Sequence, residues 1–209
     1  FRWGGSLFGG KLRGSIFHAD VDASEGARLA AHRLDWVPLP SLSFGIQEAA
    51  RYTSTHWEPL YVIGIIPYPL EQRLLQSDAY GDSSWVDVRN NVELGVDARW
   101  RLLPGTTLYG EFLFDDINLE ESGAPTRLAY QFGWLGTGRL FGKRLAWRGE
   151  LTRINRFVYT VFYGEDFVHK QQPLGYPTGP DSRTLRADFQ YDFSSDWFAD
   201  ISGIQVEKG

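Results

Sequence analysis

Charged residues and phenols recur at every second position along several stretches of this chain, a spacing that lines a wall. Arg89, Glu93, Asp97, Arg99 and Arg101 share one side of the first stretch, and Tyr109, Glu111 and Asp115 share one side of the next. Arg148 with Glu150, and Arg186 with Asp188 and Asp192, repeat the pattern later. Mixed charges of this density on neighbouring extended segments can pair across them. Two chemistries stay open: a self-neutralising network that fills and rigidifies an interior, or a polar surface that hydrogen-bonds sugar hydroxyls or acidic sugars. Trp57, Tyr61, Tyr80 and Trp85 offer rings for stacking on sugar faces, with Glu111, Asp115 and Asp116 as hydroxyl acceptors.

Catalysis has no comparable signal. The sequence contains no G-x-S-x-G elbow, P-loop, H-E-x-x-H or dinucleotide fingerprint. Its histidines, His18, His32, His56 and His169, lie far apart, and none sits at metal-ligand spacing from an acidic residue. The reading is a protein that is not an enzyme, with no cofactor and no metal.

The elements that position these residues follow from periodicity. From Val86 to Leu102 the chain alternates almost without error: Val86, Val88, Val92, Leu94, Val96, Ala98, Trp100 and Leu102 fall on one face, and the charged set on the other. A period of two means a strand with one apolar and one polar side. At roughly 3.3 Å per residue it would run about 50 Å. Strands of soluble proteins usually have about 5 or 6 residues, whereas an oblique membrane crossing needs about 9 to 11.

Further strands are predicted at about 1–8, 11–19, 28–36 and 40–50, at 106–116 and from about 128, from 144 to about 161, and in a last hairpin on either side of Ser194-Ser195-Asp196. Short links (9–10, 37–39, 103–105, 139–143, 194–196) alternate with long ones (20–27, 51–84, 117–125, 164–182). That places all short turns at one end of an up-and-down barrel and all long loops at the other, the layout of outer-membrane barrels. The long excursion 51–84 reads either as a lid or infolded loop or as a loop packed on its own side chains. Trp36, Trp100, Trp134, Trp147 and Trp197, five of the eight tryptophans, lie near the short-link end, where a membrane interface favours indoles. A soluble sandwich with core tryptophans is the alternative.

The first and last strands would begin and end on the long-loop side, whereas barrel termini normally lie on the short-turn side. The expectation is therefore a single barrel domain over 1–209 that lacks at least one strand at each end, about ten being visible of twelve or more.

Composition agrees. The 209 residues carry 26 acidic and 21 basic side chains, net charge -5, with the basic ones scattered. That disfavours nucleic acid as a partner. There is no cysteine and no methionine, so no disulfide framework exists. Mean hydropathy is -0.30 and no apolar run reaches transmembrane-helix length, which is compatible with a barrel whose every second residue faces a polar interior.

Three groups of residues together resemble the capsule-assembly Wzi family. They are His32-Arg33-Leu34-Asp35 with Leu42-Ser43-Phe44-Gly45-Ile46-Gln47-Glu48-Ala49-Ala50-Arg51-Tyr52, then Tyr109-Gly110-Glu111-Phe112-Leu113-Phe114-Asp115-Asp116, and Pro173-Leu174-Gly175 with Gly179-Pro180-Asp181-Ser182. The resemblance covers about residues 28 to 195. It implies a large barrel in the bacterial outer membrane, acting as a surface lectin that helps attach capsular or other exopolysaccharide without turnover. Long loops would be extracellular and short turns periplasmic, with membrane lipid, lipopolysaccharide and surface polysaccharide as partners. A porin or substrate-specific channel is the transport alternative, and an outer-membrane lipase or protease the enzymatic one.

Overall fold

A computed structural model describes residues 1–22, 24–54, 57–63, 67–68, 89–115, 127–160 and 166–209. Alternation forms strands almost everywhere it is found. The chain runs through β1 (Arg2–Leu7), β2 (Leu12–Asp22), β3 (Ala27–Leu39), β4 (Leu42–Thr53), α1 (Pro59–Ile63), β5 (Arg89–Leu103), β6 (Thr106–Asp115), β7 (Leu128–Leu140), β8 (Lys143–Ile154), β9 (Val168–His169), β10 (Gln172–Pro173), β11 (Ser182–Asp192) and β12 (Phe198–Lys208). One antiparallel sheet of 10 strands takes them in chain order, with the two-residue β9 and β10 forming a separate hairpin between β8 and β11. The chain is all-β and up-and-down.

Two boundaries differ most from the alternation reading. Val37-Pro38-Leu39 is not a link: it lies inside β3, where the register shifts between Trp36 and Leu39, and the chain reverses at Pro40-Ser41. Proline has no N–H to give the ladder, so it is accommodated at an irregularity. The strand expected to reach about residue 161 stops at Ile154, because the Asn155 carbonyl accepts the Val158 N–H at 3.3 Å and closes a turn. Tyr159 then takes a left-handed backbone, φ 72. Residues 86–88 of the long alternating stretch lie outside the described residues, and β5 is described from Arg89.

Register sorts the two faces into rows. Trp36, Phe44, Ala98, Gly110, Phe132, Leu151 and Leu185 stand side by side across β3 to β11 on one face. Asp35, Gly45, Asp97, Glu111, Gln131, Thr152 and Thr184 form a row on the other. The apolar face stays largely open: Trp36, Trp100 and Trp134 are each about half exposed, and no second sheet covers them among the described residues. A soluble sandwich would bury this face against another sheet about 10 Å away.

Packing concentrates at the long-connection end, on both faces. On the apolar side Tyr61 of α1 and Tyr68 seal Ala30, Ala50, Tyr52 and Val92. On the polar side Val158, Tyr159 and Phe167 bury Ala129 and Ile154 and pack against Leu29, Ala49 and Leu113. Those partners come from β3, β4, β6, β7 and β8, so the segment after β8 reaches over the polar face. This segment after β8 is infolded over the polar face, whereas the described residues of 51–84 dock on the opposite side, Tyr68 donating its hydroxyl to the Tyr61 carbonyl at 3.1 Å, and the rest of that excursion lies outside the described residues.

Candidate functional site

Beneath the infolded segment the polar face carries a continuous hydrogen-bond chain. Arg33 on β3 holds Asp35 at 2.7 Å and reaches across β4 to grip Asp97 on β5 with two bonds of 2.7 and 3.0 Å. Gly45 makes that reach possible: a Cβ there would collide with both the guanidinium and the Asp97 carboxylate. Gln47 continues the chain, accepting from Arg33 at 2.9 Å and donating to Glu111 at 2.8 Å. The same device recurs three strands on. The Tyr109 ring lies over Gly133 on β7, and its hydroxyl donates to Glu150 on β8, which also binds Arg148 at 2.6 Å. Gln131 donates to Thr152 at 3.0 Å, and Arg186 pairs with Asp188 at 2.7 Å.

Where this wall meets the infolded segment, two clefts of about 380 and 240 Å³ adjoin and share Gln47, Glu93 and Leu113. The larger is closed from above by Tyr159, Leu174, Gly175, Tyr176 and Pro177. Glu93 is only 6% exposed, and its Oε1 has no hydrogen-bond partner among the described residues. An enclosed acceptor left unmade costs about 1–3 kcal/mol, which a donor entering the cleft would recover. Asp115, opposite Glu93 in register, is tied to the infolded segment by accepting the Tyr159 N–H.

Tyr159 fastens that segment. Its hydroxyl accepts the Tyr176 N–H at 3.2 Å, and Tyr176 in turn donates to Glu150 at 3.3 Å. Burial pushes the Tyr159 phenol up to about 12 against an ordinary 10.0. A phenol whose folded pKa is raised stabilises the folded segment fully below its unfolded value and loses that contribution as pH rises through the folded one. The infolded segment should therefore loosen between pH 10.0 and about 12, read as accelerated proteolysis together with a tyrosinate absorbance change that is smaller by one phenol in Tyr159→Phe.

The predicted site residues are only partly brought together. Glu93, Asp97, Glu111, Asp115, Arg148, Glu150, Arg186 and Asp188 all face the polar wall. Arg99 is on the same face, nearer the short turns, and Arg89 opens β5 opposite Thr53. Trp57 is on the other side of the sheet, 5.6 Å from the His18 ring with the Arg28 guanidinium 5.3 Å over it. Tyr61 is 0% exposed, its hydroxyl accepting from Asn90 at 2.9 Å, so its ring presents no surface to a ligand. Tyr80, Trp85 and Asp116 lie outside the described residues. Arg33, Gln47, Tyr159 and Tyr176 join the site without having been singled out as site residues. Gln47 was legible as a polar-face residue of its strand, whereas the two tyrosines sit in a loop with no periodicity.

No protein-family model matches the sequence, and no curated protein matches it. Among solved structures the chain is similar to Wzi, described as an outer membrane protein involved in group 1 capsule assembly in Escherichia coli and as a carbohydrate-binding β-barrel. The TM-score is 0.67, with 15% identity over 96% of this chain. The fold is that of the Wzi barrel. The chain spans 43% of the length of the Wzi structure. In a barrel of this type one face of the sheet lines the polar interior and the other, apolar face meets the membrane.

Proposed function

We propose that this chain is barrel wall of a bacterial outer-membrane protein that binds capsular or other exopolysaccharide at the cell surface without chemical turnover. The observation that carries the reading is the enclosed, unpartnered Glu93 carboxylate at the junction of two inner-wall clefts, flanked by Gln47, Glu111, Gln131 and Thr152. Sugar hydroxyls are donors and acceptors at once and match such a mixture. The larger cleft falls within the range of about 300–1,000 Å³ usual for small-ligand sites. The half-buried Tyr176 at its roof supplies a ring beside these polar groups. The exposed rows of Trp, Phe, Leu and Ile on the other face fit contact with lipid and lipopolysaccharide acyl chains, with the long connections extracellular and the short turns periplasmic.

The test is binding of exopolysaccharide fragments to detergent-solubilised protein. The double substitution Glu93→Ala, Glu111→Ala should weaken binding at least tenfold, about 1.4 kcal/mol, while heat-modifiable gel migration stays normal. Unchanged affinity in the folded variant would reject the cleft as the sugar site.

A further inference from the structure

The opposite mouth of the inner wall has reversed electrostatics. A cleft of about 330 Å³ at the short-turn end is lined by Arg13, Arg99 and Arg101 together with the hydroxyl residues Ser41, Ser43 and Thr107. Register explains the convergence: Arg99 stands between Ser43 and Tyr109, and Arg101 opposite Thr107, while Arg13 enters from β2 opposite Asp35. The Arg99 and Arg101 side chains have no hydrogen bond or ion pair among the described residues. Arg13 donates Nε to the Gly10 carbonyl at 3.1 Å, which leaves its remaining N–H groups unassigned. The one carboxylate lining the cleft, Asp35, is already held by Arg33 at 2.7 Å. Three guanidiniums thus share an opening with one engaged anion.

We propose that this mouth is a binding site for a small oxyanion, a carboxylate or phosphate group, held by Arg99 and Arg101 with Arg13 closing from the side. Guanidinium forks match the planar or tetrahedral oxygens of such groups and bind them by two parallel N–H bonds. Serine and threonine hydroxyls nearby supply further donors. The cleft is on the inner wall, so its ligand arrives through water rather than from the acyl chains outside. The site is separate from the sugar cleft and does not depend on that assignment: one end of the wall offers acceptors to neutral hydroxyls, the other offers cations to an acid.

The decisive experiment is isothermal titration of the full-length protein in detergent with inorganic phosphate and with glucuronate, methyl glucoside serving as the uncharged control. Saturable binding of at least one anion is expected, with none of the control. Affinity should fall as salt is raised and drop at least tenfold in Arg99→Gln, Arg101→Gln. Phosphate alone binding would assign the site to phosphate esters, glucuronate alone to sugar acids. Should the double variant fail to show heat-modifiable migration, Arg13→Gln is read in its place. Absence of saturable binding by either anion, or equal affinity in the folded variant, overturns the proposal.

Discussion

Arg33→Met should lower the unfolding free energy of the protein by about 3 kcal/mol, measured by urea titration in vesicles, because it leaves partly buried acids without their cation. Arg33 alone joins Asp35, Gln47 and Asp97 across β3 to β5, and the two aspartates stand on the same row with only Gly45 between them. Losing the guanidinium sets two carboxylates facing each other over a glycine. The asymmetry between breaking a pair and deleting it supplies the control. Arg33→Met combined with Asp97→Leu removes both ends of the strongest bond and should recover most of the loss. A penalty below about 1 kcal/mol in the single variant would show that the wall does not rely on this bridge, as expected only of a solvated surface pair.

Replacing residues 157–177 by a short Gly-Ser turn should raise single-channel conductance in planar bilayers by roughly an order of magnitude, since an unobstructed barrel interior conducts as an aqueous channel. In the intact protein this segment packs Val158, Tyr159 and Phe167 against residues of five strands and roofs the larger cleft. The same deletion removes the roof and should therefore also weaken exopolysaccharide binding. A lectin predicts both effects together. High conductance already present in the intact protein, unchanged by the deletion, would favour the substrate-specific channel instead.

Most of the architecture was legible because a barrel wall writes itself in a period of two. Glu93, Asp97, Glu111, Glu150 and Arg186 could be placed on one face from alternation alone, and each is there. What alternation does not carry is register. Arg33 and Asp97 are separated by 64 positions and meet only because β3, β4 and β5 align Asp35, Gly45 and Asp97 in one row. His32 and Glu48, 2.6 Å apart, meet for the same reason. The loops were harder still. Tyr61 looks like a binding ring by residue type, yet it is buried under the apolar side of the sheet. Tyr176 belongs to a segment rich in Pro and Gly, whose composition predicts irregular backbone but not the face on which it lands, and Tyr159 falls in the stretch that alternation extended as strand to about residue 161.

Because, among the described residues, every strand of the main sheet hydrogen-bonds only to its neighbours in chain order, this stretch of wall can be assembled as a zipper. Each turn such as Leu103-Pro104-Gly105 or Leu140-Phe141-Gly142 closes a minimal loop, so the next strand is held beside its template as it arrives. Two steps span the longest connections: β5 must find β4 across residues 54–88, and β11 must find β8 across 155–181. Closure entropy grows by only about 0.6 kcal/mol per doubling of loop length, so these steps cost about 2–3 kcal/mol more than a tight turn. Insertion should therefore proceed in three blocks, β1 to β4, β5 to β8 and β11 with β12. The blocks meet at the two connections whose aromatic residues later weld them, so the long loops act as delayed latches between preformed hairpin sets.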